Sequence, residues 1–242
     1  MPQYNKADIG RAATQYGFIR DTFEKVLRLK EILEYFNTQE YLSNHLILKG
    51  GTAINLTVFE LNYSLRAHIL EPTYRDILND VFKSNIKIRT VAPLEIFSAK
   101  GNALISRAAA RDLYDWGNLI EQNLFADEKD LFRKCFVFYT TITADNVRGN
   151  YDFDLSAIDT LNFTKIRRDL FPVISKKDNF KLEERKIQAK QYIRDLIQLT
   201  EKENEYIERF IAKEYRPELL FDDDEIVTRI CEHPMALWKC SR

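Results

Sequence analysis

The stretch HLILKGGTAINL, from His45 to Leu56, decides how the first half of the chain folds. Its apolar run Leu46–Leu48 is typical of a short buried strand, and the apolar positions after Thr52 keep helical spacing. Between them, Gly50 and Gly51 allow a sharp turn, because glycine has no Cβ. A strand, a glycine turn and a helix N-terminus can cradle a phosphate, since free N–H groups and the helix dipole favour an anion. A plain strand–turn–helix connection without a ligand fits these residues equally well.

The composition favours a mostly helical chain. The 242 residues suit one large domain or two small ones. Only 7 glycines and 6 prolines interrupt a sequence in which 45% of the residues are hydrophobic, and the net charge is −1. Such a charge excludes a strong global field for nucleic acid or lipid. The three cysteines, Cys135, Cys231 and Cys240, show no C-x-x-C spacing, which argues against a disulfide framework or a zinc site.

No signal-peptide core and no apolar run long enough to span a bilayer is present in the sequence. We therefore expect a soluble, cytoplasmic protein that does not enter a membrane.

Apolar spacing predicts a chain of helices interrupted by few strands. We expect a turn over Asn37–Asn44 that leads into the strand at Leu46, and a further strand over Ile86–Val91. Pro93 stands at the first turn of a helix, where proline is tolerated. Beyond Asp127 no segment is predicted as a strand. The predicted helices cover about 8–16, 19–36, 93–107, 109–122, 129–143, 156–161, 182–198, 201–213 and 224–232.

Helix and strand patterns collide after Thr52. The segment Val58–Arg66 alternates like a strand, yet no turn residue separates it from the helical pattern before it. Compact domains rarely join two elements without a loop. The collision indicates that a piece of a familiar arrangement is missing here.

Two sequence blocks resemble one family. The first is Leu48–Ala53, and the second is the PLEIFSAK run Pro93–Lys100, followed by Arg107 and the RDLYD run Arg111–Asp115. In this order they resemble the AbiEii/AbiGii nucleotidyltransferase toxins of bacterial toxin–antitoxin systems. The tail segments Tyr215–Phe221 and His233-Pro234 look like the end of such proteins as well.

The resemblance implies an α+β fold similar to the DNA polymerase β-like nucleotidyltransferases, followed by a helical domain. We expect an incomplete nucleotidyltransferase domain over residues 1–92 and a helical C-terminal domain over 93–242. The implied chemistry is transfer of a nucleotide from a triphosphate such as GTP to an acceptor such as RNA. A cognate antitoxin protein is the implied partner.

Site roles follow from the same resemblance. The Gly-Gly-Thr turn, with the nucleotide-binding residues Lys49, Gly50, Gly51 and Thr52, would face the triphosphate. Lys100 would reach a phosphate, and Asp112 would stand at the end of the site. Arg107 is a further candidate for phosphate binding, although Arg107 and Arg111 would also suit ordinary helix pairs with Asp112 or Asp115.

Nucleotidyl transfer explains why such residue types are needed. Charge develops on phosphate oxygens, so cations and fixed N–H dipoles must face them. In the family, a D-x-D pair on a strand holds Mg²⁺, and strand geometry puts both carboxylates on one face.

That D-x-D pair is absent here. The chain passes from Phe59 directly to Glu60, and the simplest interpretation is an internal deletion at this join. Glu60 then matches the third acidic position of the family and is the one metal ligand that we can assign. One carboxylate does not easily organise two Mg²⁺ ions, so we expect impaired catalysis even if nucleotide is bound.

Two other acidic runs are poor substitutes for the missing pair. Asp152-Phe153-Asp154 and Asp222–Glu225 are expected to be solvated groups at helix starts, where acidic residues are common. We expect no metal or catalytic pair among His45, His68 and His233. A second hypothesis for the whole chain is a non-catalytic nucleotide-binding or protein-interaction module that keeps the fold without the metal site.

Overall fold

The computed structural model describes residues 5–47, 67–76, 87–143, 153–176 and 178–241. These residues are mainly helical, with one small sheet. In chain order the elements are α1 Lys6–Tyr16, α2 Arg20–Thr38, α3 Glu40–His45, β1 Thr73–Asp76, β2 Lys87–Thr90, α4 Pro93–Arg107, α5 Ala110–Glu121, α6 Lys129–Thr143, α7 Ser156–Asp159, α8 Phe163–Asp169, α9 Leu182–Leu196, α10 Glu201–Ile211, α11 Asp224–Ile230 and α12 Pro234–Cys240, with single 3₁₀ turns at Ala126–Glu128 and Pro217–Leu219.

The chain divides into two compact units. The first comprises Met1–Ser64, Pro72–Val91 and Leu161–Leu182, and the second comprises Leu65–Glu71, Ala92–Thr160 and Glu183–Arg242. We refer to the second as the helical unit, since all its regular elements in the described residues are helices. The division at residues 92 and 93 stays a prediction.

In the first unit, α1 and α2 form a small apolar cluster. The Asn5 side chain caps α1 by accepting from Ala7 N, and Gly17 ends the helix at φ 82°. This left-handed conformation suits glycine. Ile9 and Phe23 are buried between the two helices. Both helices were predicted, within two residues at each end.

The turn predicted over Asn37–Asn44 is wrong. Helix α2 continues to Thr38, and α3 follows at once over Glu40–His45. Only Gln39 between them is extended, with φ −102° and ψ 107°. The next residues, Leu46 and Ile47, are in neither helix nor strand. The rest of the predicted strand–glycine turn lies outside the described residues.

Two antiparallel strands make the sheet. Thr73 pairs with Thr90 and Asp76 pairs with Lys87. The alternation in Ile86–Val91 predicted β2, whose Ile88 and Thr90 are buried. Strand β1 was missed, because all four of its side chains are exposed and carry no apolar pattern. The α+β class is confirmed in its coarser form, as a mostly helical protein with a small sheet.

In the helical unit, α4, α5 and α6 surround an aromatic core. Phe97, Trp116, Phe132 and Phe136 are all fully buried. The Trp116 ring lies 5.9 Å from the rings of Phe132 and Phe136, and its Nε1 donates to the Phe97 carbonyl at 3.2 Å. The predicted helices here are confirmed, and Lys129–Thr143 has the predicted bounds. The short helix α12 of this unit and α8 of the first unit were missed, since seven residues give too little periodicity.

Gly101 allows α4 to approach α5 closely. A Cβ at this position would lie 2.1 Å from Trp116 Cζ2 and 2.6 Å from Phe136 Cε2. Both rings are fully buried and have no room to move aside. A side chain at residue 101 would therefore push the two helices apart.

Replacing this glycine should destabilise the protein. We expect Gly101→Ala to lower the free energy of unfolding by about 1–3 kcal/mol through overpacking. Gly10→Ala is the matched control, because the space around Gly10 in α1 is open. That change should stabilise the fold by about 0.5–1 kcal/mol through helix propensity. Urea unfolding of both variants measures the two effects, and a neutral Gly101→Ala would contradict the close packing described above.

Candidate functional site

A lysine and two aspartates meet where α4 and α5 face each other. Lys100 lies in the second half of α4, and Asp112 and Asp115 lie in the first two turns of α5. Three-residue spacing puts both aspartates on one side of the helix. Ala108, at φ 46°, ends α4 and leads directly into the next helix. The short connection and the close approach at Gly101 bring Lys100 to both carboxylates.

Lys100 is bound more closely to one aspartate than to the other. Its Nζ donates a hydrogen bond to Asp115 Oδ2 and lies 3.8 Å from Asp112 Oδ1. All three side chains are largely withdrawn from solvent, with Lys100 14% exposed and each aspartate 6% exposed. The Lys100 ammonium is thus a largely shielded charge whose position is set by the two carboxylates beside it.

Asp112 keeps one oxygen without a hydrogen bond. Its Oδ2 is buried and, within the described part of the chain, accepts no hydrogen bond. Arg107 Nε is 3.6 Å from this oxygen, which is an ionic contact beyond hydrogen-bond distance. The Arg107 side chain is 71% exposed. An exposed guanidinium next to a buried, incompletely bonded carboxylate can turn toward a ligand.

Burial raises the pKa of Asp115 above its ordinary value. The charge and hydrogen bond of Lys100 act in the opposite direction, as does the Arg111 charge, while the Asp112 charge adds to the rise. Desolvation is the largest of these causes. Lys100 is thus the main group that stabilises the ionised form of Asp115, which desolvation disfavours.

We compared the chain with known proteins. The family model described as nucleotidyl transferase AbiEii toxin, type IV TA system, matches residues 57–213. This range covers well over half of the 242 residues. The chain belongs to the AbiEii family. No curated protein and no solved structure matches it.

The matched range contains the cluster of this AbiEii protein but not the first sequence block. Lys100, Arg107, Asp112 and Asp115 all fall within it, whereas Leu48–Ala53 precedes residue 57. The resemblance noted in the sequence is thus confirmed for the family, and the roles of individual residues stay predictions. In the described residues, no helix is long and apolar enough to cross a membrane.

The structure brings together three of the predicted site residues, namely Lys100, Arg107 and Asp112. The other five, Lys49, Gly50, Gly51, Thr52 and Glu60, lie outside the described residues. Two neighbours of the cluster were not predicted as site residues. The signal that could have identified Asp115 is its position as the second acid of the RDLYD run, three residues after Asp112 and therefore on the same face of a helix. The packing role of Gly101 has no signal in a single sequence.

The described residues of this AbiEii chain do not fit a Mg²⁺ site. No group of three potential metal ligands occurs among them. Asp112 and Asp115 are close enough to share a cation, but the Lys100 ammonium already lies beside both. A metal ion there would meet a like charge, and Mg²⁺ needs an octahedral set of oxygens. The assignment of Mg²⁺ to Glu60 therefore stays a prediction.

Other acidic residues have ordinary structural roles. Asp154 Oδ1 accepts from Ser156 N, and Asp223 Oδ1 accepts from the first amides of α11. Asp222 pairs with Lys134 and Lys202. Acids at helix starts satisfy free N–H groups and favour the helix dipole. The prediction that these runs are structural is confirmed for the described residues.

The raised pKa of Asp115 gives a prediction about pH. The folded protein holds this proton more tightly than the unfolded chain, in which the pKa is about 4. Asp115 therefore contributes stability at pH below that value, and the contribution is lost as pH rises through the folded pKa. Asn at this position does not titrate. The free energy of unfolding of Asp115→Asn, relative to the unchanged protein, should rise as the pH increases above about 4, where the unfolded chain loses this proton and the folded protein still holds it. Urea titrations across this range measure it, and a difference that falls with pH would contradict the assignment.

Proposed function

We propose that this AbiEii-family toxin handles a nucleoside triphosphate at the cluster of Lys100, Arg107 and Asp112. The observation that carries the proposal is the largely shielded Lys100 ammonium beside Asp112, within the range that matches the family. A surface lysine would be hydrated and mobile, whereas this one is 14% exposed and fixed. Fixed positive charge is what a phosphoryl-transfer site needs.

The residues of the cluster suit different parts of such a substrate. Lys100 offers a compact point charge to a phosphate oxygen, and Arg107 offers a planar fork of donors that pairs well with phosphate. Asp112 can only accept hydrogen bonds when ionised, so it suits a hydroxyl or amino group of the substrate. Together the three residues would bind a phosphate of the substrate next to a substrate group that donates a hydrogen bond to Asp112.

The finer assignments are part of the same proposal. We propose GTP as the donor, RNA as the acceptor, and a polymerase β-like core as the fold of the nucleotidyltransferase domain. Membership in a type IV toxin–antitoxin family implies a cognate antitoxin. The absence of a D-x-D pair after Thr52 in the sequence supports impaired transfer.

Nucleotide binding should raise the melting temperature through Lys100. A ligand at about 100 times its Kd adds about 2.7 kcal/mol of stability. For a chain of this length this is a rise of several degrees. We expect GTP to give such a shift in the unchanged protein and Lys100→Ala to remove most of it. The shift is measured within each variant, so a general loss of stability does not affect it.

Lys134→Ala provides the control for this experiment. Lys134 is a similarly shielded lysine of the same unit, 21% exposed, that pairs with Asp222 instead. Its replacement should leave the GTP shift unchanged. An equal loss of the shift in both variants, or no shift in the unchanged protein, would contradict the proposed site.

Transfer itself is tested with a labelled triphosphate and total RNA, with and without Mg²⁺. We expect transfer that is weak and lost in Lys100→Ala. Rapid, metal-dependent turnover would overturn the expected impairment. Binding of GTP without any transfer would favour the non-catalytic nucleotide-binding module instead.

A further inference from the structure

The two aspartates of the cluster are unequally bonded, although they have equal exposure. Asp115 accepts a hydrogen bond from Lys100 Nζ. Asp112 has only ionic contacts, at 3.8 Å to Lys100 Nζ and 3.6 Å to Arg107 Nε. Its Oδ2 accepts no hydrogen bond within the described residues. A buried oxygen in this state is unfavourable, because it has lost its hydrogen bonds to water and has gained none from the protein.

Other buried carboxylates of the helical unit do not have this defect. Glu95 accepts from the amides of Ile69 and Leu70 at 2.9 Å and from the Tyr139 hydroxyl. Both oxygens are therefore bonded. Among the described residues, Glu31 Oε1 in α2 of the first unit is also buried without a hydrogen bond, but within the comparison with Glu95 the open oxygen is particular to Asp112. A ligand that donates a hydrogen bond would complete it.

Glu203, at the start of α10, is a second buried carboxylate whose oxygens are both hydrogen-bonded. Its carboxylate accepts from Arg133 Nε at 3.0 Å and from Thr200 N at 2.8 Å. Glu203 is 1% exposed, so burial alone does not leave an acid incompletely bonded. This residue also offers a matched control, because neither of its partners belongs to the Lys100 cluster.

We propose that Asp115 is a positioning residue that holds the Lys100 ammonium for phosphate, which leaves Asp112 open to a hydrogen-bond donor of the substrate. This rests on the proposed function. Asp115 touches Lys100 and acts through it, whereas Asp112 would touch the substrate itself. The three-residue spacing of the RDLYD run separates these two tasks on one face of α5.

The charges around the cluster support this division. If Lys100 moved away, Asp115 would be a buried charge whose remaining compensation is the more weakly acting Arg111. Breaking a buried pair in this way is strongly unfavourable. Lys100 is thus fixed near Asp115, and a phosphate must come to it. Arg107, by contrast, is mostly exposed and free of this constraint.

A double-mutant cycle on nucleotide affinity tests the positioning role. We expect Asp115→Asn to raise the Kd for GTP about tenfold, because Lys100 loses the charge-assisted hydrogen bond that orients it. In the Lys100→Ala background the same change should have no further effect on the Kd. Asp112→Asn should instead keep most of its effect on the Kd in the Lys100→Ala background, because its 3.8 Å contact with Lys100 Nζ carries no hydrogen bond and couples the two residues only weakly.

Glu203→Gln is the control for loss of a buried carboxylate. It should lower the melting temperature, because Arg133 loses the buried one of its two carboxylate partners, and leave the GTP Kd unchanged. A purely structural Asp115 would behave in the same way as this control. Additive effects of Asp115→Asn and Lys100→Ala on the Kd would overturn the proposal.

Lysine reactivity supplies a test without nucleotide. Reductive methylation of the Lys100 amine, followed by mass spectrometry, should be about tenfold faster in Asp115→Asn and little changed in Asp112→Asn. Equal acceleration in the two variants would overturn the positioning role. If the unchanged protein binds no GTP yet shows the expected reactivities, the proposed function fails and the pairing of Asp115 with Lys100 stands.

Discussion

The hydrogen bond from Lys100 to Asp115 is the interaction on which the candidate site depends. It places a positive charge at the junction of α4 and α5, where solvent is largely excluded. The Asp115 carboxylate depends on this partner, because burial disfavours its ionised form and raises its pKa. The pair exists only because the two helices approach closely, so the chemistry of the cluster follows from the packing of the aromatic core.

Much of the helical unit could be predicted from its sequence. The apolar spacing in α4, α5 and α6 is regular over three or more turns, and such patterns leave little choice of structure. The family resemblance assigned Lys100 and Asp112 to one site, and the structure brings them within 3.8 Å of each other. Which aspartate takes the hydrogen bond was not predictable, since spacing puts Asp112 and Asp115 on the same face.

The predictions that were wrong or missing have physical explanations. Residues Asn37–Asn44 look polar and turn-like, yet α3 forms there because a single extended residue, Gln39, suffices to redirect the chain. Strand β1 is exposed along its whole length, so its pairing with β2 through backbone hydrogen bonds leaves no hydrophobic trace. The packing constraint at Gly101 comes from the rings of Trp116 and Phe136, which are distant in sequence, so it could not be predicted from the residues around the glycine.

The position of Gly101, next to Lys100 in the chain, ties the cluster to the aromatic core. At residue 101 every other side chain would meet the Trp116 and Phe136 rings. A substitution there would displace α4 from α5 and would separate Lys100 from Asp115. A single codon that encodes no charged or polar group can therefore decide whether the cluster assembles.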